Sequence, residues 1–365
     1  MIPAAYAVID LGAAQHNLLK VRECTPNAKI MAVIKANGYG HGMVRIAEAL
    51  QDVDAFAVAR VDEGVRLRKA GIQNRIAVLE GFTCAEELDE LLHYQLDAVV
   101  HSFVQLDILS CRTGSQIAVW LKIDTGMNRL GFAPSAFLMV QQRLAACSIV
   151  KQPLGYMTHF ANADDKQDAM TLKQISLFAD TLGSVVGERS IANSAGILGW
   201  PEAITDWVRP GVMLYGISPF PMHTGAQFGL KPIMSLHSRL IAVKPISKGD
   251  AVGYGGSWVC DKPTLIGVVA IGYGDGYPRY VGVGAPVLVN GKRVPLVGRV
   301  SMDMITVDLA SQPEARPGDP VTLWGEGLAV EEVAEYAQTI PYTLVCGVTQ
   351  RVRQIEAGVI NKIEC

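Results

Sequence analysis

The chain has 365 residues, of which 50% are hydrophobic and 18% charged, so it is long enough for about two domains and too apolar for wholesale disorder. Its 32 Lys+Arg against 35 Asp+Glu give a net charge of −3, which removes the basic field of a nucleic-acid binder. No uncharged apolar run reaches the ~18 residues of a membrane span. The first residues, MIPAAYAVIDLGAAQ, have no basic region, and Asp10 interrupts their apolar stretch, so they do not read as a signal peptide. The seven cysteines (Cys24, Cys84, Cys111, Cys147, Cys260, Cys346, Cys365) are scattered, with no CxxC and no zinc-type pairing. They read as free thiols of a cytoplasmic protein, and no metal is expected.

In chain order, apolar runs at 29–35, 55–59, 76–80, 98–101, 117–124, 154–160, 191–194 and 208–215 alternate with helical patterns near 43–51, 62–70, 85–94, 104–111, 136–147 and 166–182. Near-continuous apolar strands separated by helices indicate a parallel sheet covered on its outer face. Eight such units predict a (β/α)8 barrel, with an open doubly wound sheet as the alternative that periodicity does not separate. From about residue 231 the rhythm changes. Valine-rich strands are predicted at 238–243, 264–271, 286–289, 293–297, 304–308 and 320–324, with one helix at 331–339. Asn290-Gly291 is a two-residue hairpin signal. The expected organisation is a barrel over residues 1–225 and a mainly β domain over 226–365, joined near 218–231.

In a parallel barrel, chemistry collects where the strands end. Lys35 ends a wholly apolar strand and opens a glycine-rich loop, KANGYGHG. A lysine anchored there is desolvated, which lowers its pKa and makes it a nucleophile or base. Arg129 follows the fifth strand, Thr158-His159 lies near the end of the sixth, Asn193-Ser194 ends the seventh, and Arg209-Pro210-Gly211 sits beside the eighth. Each alone reads as a solvated cation or a satisfied core group. Together they converge on one mouth of cations and glycine-rich backbone, which suits a phosphorylated ligand. In the β half, Tyr254 lies in VGYGG and Tyr273 in IGYGDGYP, bulky rings in turns whose glycines alone are explained by structure.

At these residues the sequence resembles alanine racemase, over nearly its whole length. The blocks VIKANGYGHG, KIDTGMNRLGF, THFANAD, RPGVMLYG, VGYGGSW, IGYGDGYP and VGRVSMD occur in the family's order. The resemblance implies a barrel followed by a β domain, pyridoxal 5'-phosphate as cofactor, alanine as substrate, and a homodimer whose sites are completed across the interface. It makes Lys35 the Schiff-base lysine and one catalytic base, with the partner subunit's Tyr254 as the opposite base. It places Arg209 at the pyridine nitrogen, His159 beside Arg209, and Tyr39, Asn193, Ser194, Gly211 and Val212 around the cofactor and its phosphate. Arg129, Tyr273 and Met302 fall around the substrate carboxylate and its entrance. Lys122 matches a lysine often carbamylated in the family. The implied role is D-alanine supply for peptidoglycan, or D-alanine catabolism. One departure is Gln350, where many members carry a tyrosine that reaches the phosphate. It keeps a broader-specificity amino-acid racemase as the alternative.

Overall fold

The computed structural model describes residues 4–358. Eight parallel strands, Lys29–Val33, Ala55–Val58, Arg75–Val78, Asp97–Val100, Val119–Lys122, Gly155–Met157, Arg189–Ser190 and Trp207–Val208, close into a barrel in chain order. Closure is made by Lys29 pairing with Trp207 and Ile30 with Val208, and it settles the choice between a barrel and an open sheet. Seven of the eight expected strands overlap observed ones, most of them shorter than their apolar runs, while the seventh, Arg189–Ser190, lies just before the run expected at 191–194. The eighth differs most in length. Only Trp207–Val208 is extended, because Pro210 lacks an amide for a ladder; Val212–Tyr215 then winds into a 3-10 turn.

The outer helices show why their sequences fold as they do. Phe103–Ser110 begins on Ser102, whose hydroxyl accepts the Gln105 amide while the Gln105 side chain returns to the Ser102 amide. Val61–Lys69 carries Asp62 and Glu63 in its first turn and Arg66, Arg68 and Lys69 in its last, matching the helix dipole at both ends.

The N-terminal ends of the strands form a closed floor. Asp97, buried, accepts from the Arg75 Nε–H and from the Trp120 Nε1–H at 3.1 Å. The Arg75 guanidinium lies over the rings of Trp120 and Trp207, 5.2 and 5.4 Å from their centroids. Glu188 joins Arg75 to Lys29.

The second layer is an eight-stranded sheet in the order Thr264–Val269, Ile305–Asp308, Lys292–Val297, Pro286–Val289, Pro320–Trp324, Met234–Ile246, Tyr6–Asp10, Arg353–Ala357. The long strand Met234–Ile246 also pairs with Thr264–Val269, so the sheet curls back on itself. Its first half alternates buried and half-buried side chains, with Met234, Leu236, Ser238 and Leu240 facing in. Asn290 and Gly291, both with left-handed φ, turn the predicted hairpin, and Val289 pairs with Lys292. The expected division at 225 needs one correction. Tyr6–Asp10 belongs to this sheet, paired antiparallel with Met234–Ile246 and parallel with Arg353–Ala357. Its alternating YAVID pattern, one face buried, marks a sheet strand rather than a two-sided barrel strand. Among the described residues no helix is long and apolar enough to cross a membrane. The six described cysteines are free thiols; Cys365 lies outside the described residues.

Candidate active site

A cavity of about 1190 Å³ opens at the C-terminal ends of the barrel strands. Lys35, Tyr39, Lys122, Arg129, His159, Asn193, Ser194, Arg209, Gly211 and Val212 all line it, so ten of the predicted residues meet in one space. Lys35 stands two residues beyond the first strand, half-buried. Burial, and next the charge of Arg129, hold its amine below the ordinary lysine value. Burial, then Arg209, Arg129 and Lys35, pull the Lys122 amine down to about 7. Four cationic side chains thus crowd one mouth, and an anionic occupant relieves their repulsion.

Arg209 is buried, and burial lowers its pKa to about 10, which leaves it cationic at neutral pH. Its Nη1 donates to the Ser190 carbonyl and hydroxyl, both at 2.7 Å, and its Nη2 to the Thr158 carbonyl at 2.6 Å. Nη2 also donates to His159 Nδ1 at 3.3 Å, so that ring carries its proton on Nε2. Burial and the Arg209 charge hold His159 well below its ordinary pKa, and the ring is neutral. Every acceptor around Arg209 is uncharged. Among the described residues its Nε–H has no acceptor, although the residue lines the cavity.

Two hydroxyls meet at Gly211. Ser194 Oγ accepts from the Gly211 amide at 2.9 Å and the Met213 amide at 3.3 Å, which leaves its own O–H to donate. A Cβ on Gly211 would lie 2.7 Å from Tyr39 Oη, so the glycine is required for space. Asn193 spends its carbonyl oxygen capping the helix Ser194–Gly199, accepting from the Gly196 amide. The loop between Lys35 and Tyr39 is a left-handed turn, with φ near +50° to +60° at Ala36, Asn37, Gly38 and Tyr39.

Three predicted residues stand elsewhere. Tyr254, Tyr273 and Met302 are 69%, 39% and 52% exposed, on the sheet domain. Their loops converge: the Tyr273 amide donates to the Ser301 carbonyl, the Gly274 amide to the Met302 carbonyl, and Gly253 and Gly255 pack against Arg299. Gln350 is exposed and forms no part of the cavity wall. The wall there comes from Tyr342 and Cys346 on Pro341–Gly347, a helix absent from the sequence reading. Pro341 at its first position was the signal available for it. His101, whose Nε2 lies 3.0 Å from the Glu80 carbonyl, also lines the cavity and was not singled out, although it ends an expected strand. Glu331 ties the two layers together, its buried carboxylate accepting the Ser218 and Gly225 amides at 2.8 Å each.

The family model for the alanine racemase N-terminal domain matches residues 9–219, and that for the C-terminal domain matches residues 233–356. The chain belongs to the alanine racemase family. It is 51% identical over 347 residues to the alanine racemase of Nitrosococcus oceani, covering 95% of this chain and 97% of that one. To the alanine racemase of Shewanella sediminis it is 50% identical over 353 residues, covering 96% and 99%. Among solved structures, the biosynthetic alanine racemase of Pseudomonas aeruginosa superposes with a TM-score of 0.95 at 43% identity, over 98% of this chain and all of that one. The alanine racemase of Bartonella henselae, with covalently bound pyridoxal phosphate, superposes with a TM-score of 0.88 at 28% identity, over 97% of this chain and 100% of that one. An alanine racemase is an isomerase, and this family uses pyridoxal phosphate.

Proposed function

We propose that the chain interconverts L- and D-alanine in the cytoplasm as a homodimer, using pyridoxal 5'-phosphate and two bases, Lys35 and the partner subunit's Tyr254. The observation that carries this reading is Lys35, an amine held below its ordinary pKa at the mouth of a cavity lined by cations. The residues present fit the cofactor. Lys35 offers the nucleophile, Ser194 and Tyr39 offer hydroxyls where Gly211 leaves room for a phosphate, and the open Nε–H of Arg209 offers a donor to a ring nitrogen. When bound, that cofactor supplies an electron sink for the carbanion left by an amino-acid Cα proton.

The chain's own groups do the rest. Arg129 attracts the substrate carboxylate. Lys35, its amine held below the ordinary lysine value by burial and the charge of Arg129, takes or returns the Cα proton on one face. Tyr254, on an exposed loop of the sheet domain, reaches the opposite face of a second copy's site; Tyr273 and Met302 border the entrance there. Arg209 remains a hydrogen-bond donor and keeps its proton, because even at about 10 its pKa exceeds that of a pyridine-type nitrogen. His159, neutral, steadies Arg209. Lys122 as a carbamate would give Arg129 an anionic neighbour. Relatives at about half identity carry the alanine name, which favours alanine over a broader-specificity racemase. The D-alanine supplies peptidoglycan synthesis or is catabolised.

The test is chiral chromatography of holoenzyme incubated with single amino acids. L-Alanine should run to an equal mixture of enantiomers, with L-serine, L-lysine and L-arginine converted far more slowly. No D-alanine from L-alanine would overturn the assignment.

A further inference from the structure

The Lys35 and Tyr39 ends of the left-handed turn are held by different residues. At the first end, Glu63 Oε1 accepts the Ala36 amide at 2.7 Å, while its Oε2 accepts the Ala59 and Arg60 amides. At the second end stands His41, fully buried. His41 Nδ1–H donates to two carbonyls at once, Tyr39 at 2.8 Å and Gly38 at 3.0 Å. Its ring lies 4.8 Å from the Tyr215 ring, which lies 4.6 Å from the Tyr39 ring. The Tyr215 hydroxyl donates to the carbonyl of Val33, the last residue of the first barrel strand, at 3.1 Å.

Two features make His41 more than a core filler. Tyr39 has φ +51°, a conformation that bulky residues avoid and that persists only where the surroundings enforce it. The His41 Nε2, completely buried, has no partner among the described residues. An orphaned polar atom is unfavourable. An asparagine would keep a donor at the δ position without that orphan, but it would have no ring to set against Tyr215. The side chain is therefore used on two sides, as donor to the strained turn and as the end ring of a row of three tilted rings with Tyr215 and Tyr39. Both uses fix the direction of Tyr39, whose hydroxyl then falls where Gly211 leaves space.

We propose that His41 is a positioning residue that, through Tyr215 and the turn, holds the Tyr39 hydroxyl in place and so sets the cavity's affinity for the phosphate arm of its cofactor. This rests on the reading of Tyr39 as a phosphate contact. Because Glu63 secures the Lys35 end independently, loss of His41 should weaken phosphate recognition and spare the reaction of an aldehyde with Lys35.

The experiment titrates the full-length apoprotein with pyridoxal 5'-phosphate and, separately, with pyridoxal, following the absorbance of the bound aldehyde. Tyr39→Phe comes first. It should weaken binding of the phosphorylated ligand about tenfold, equivalent to about 1.4 kcal/mol, and change pyridoxal binding less than about twofold. His41→Phe, which keeps a ring and loses the donor, should show the same selective loss. If His41→Phe does not fold, Tyr215→Phe, which removes only the bond to Val33, carries the same criterion with a smaller selective loss. Equal weakening of both ligands, or none, in the His41 variant while Tyr39→Phe discriminates would overturn the role of His41. If Tyr39→Phe itself fails to discriminate, the phosphate reading of Tyr39 falls and the proposal falls with it.

Discussion

Replacing Lys122 with methionine should stabilise the apoprotein, and the pH at which it does so is fixed by the site. In the folded chain the Lys122 amine titrates at about 7 against an ordinary 10.5, because burial and the charges of Arg209, Arg129 and Lys35 disfavour its cation. The folded value is the lower one. Above pH 10.5 the amine is neutral in both states and Lys122 has no electrostatic effect. Between 10.5 and 7 the unfolded chain holds a proton that the folded chain has released, so stability falls by about 1.4 kcal/mol for each pH unit lowered. Below 7 both states are protonated and the penalty is constant. The gap corresponds to about 5 kcal/mol, and discounting for the side chain's remaining solvent contact leaves about 3 kcal/mol. Lys122→Met keeps most of the stem and removes the charge. Urea unfolding in carbon-dioxide-free buffer should show the variant about 3 kcal/mol more stable than the parent at pH 7, with the difference gone by about pH 10.5. An amine with this pKa is nucleophilic at neutral pH, and its carbamate would sit as an anion among arginines. Bicarbonate should therefore stabilise the parent and leave Lys122→Met unchanged. A variant no more stable than the parent at pH 7, or a gain that does not vary with pH, would refute the reasoning.

Lys35→Ala and Tyr254→Phe should each reduce racemisation by orders of magnitude in both directions, and mixing the two with confirmed subunit exchange should restore activity at one site per mixed dimer; no recovery would place both bases in the same chain's site. At the barrel floor, Asp97→Ala leaves the Trp120 Nε1–H without its acceptor and Arg75 with Glu188 alone as a carboxylate partner. It should lower unfolding free energy by about 3 kcal/mol while sparing the activity of the folded enzyme, and a loss under about 0.5 kcal/mol would show that the floor is not ionically closed.

The barrel half was legible because each buried strand is an apolar run and five of the runs carry polar residues at or just beyond their ends, which the barrel turns toward one mouth. Lys35, Arg129, His159 and Arg209 were found this way. His41 and Glu63 were not, because a buried histidine in a glycine-rich loop and a glutamate in a helix's first turn carry no periodic signal for what they hold. The strand Tyr6–Asp10 was missed for a related reason. Five alternating residues before a helix resemble any half-buried segment, and their partners, Met234–Ile246 and Arg353–Ala357, lie at the far end of the chain. The seventh strand, Arg189–Ser190, falls just before its expected run at 191–194 because it opens on a polar pair, and the eighth was overextended because hydrophobicity continues past Pro210, where hydrogen-bonding capacity, not polarity, ends the ladder.

The pairing of Tyr6–Asp10 with Arg353–Ala357 makes the barrel an insertion within the sheet domain's chain path. During synthesis at ~5–20 residues per second, roughly 20–70 s separate the appearance of these two strands at the ribosome. The barrel residues are all made in that interval, and even after Met234–Ile246 pairs with the first strand its other edge stays open until Arg353–Ala357 appears. A chain cut short before residue 353 would carry a finished barrel and a sheet lacking its last edge strand, the kind of unpaired edge that cellular quality control and aggregation both recognise. The two ends of the described chain thus act as a seal, closed only when translation has passed through both domains.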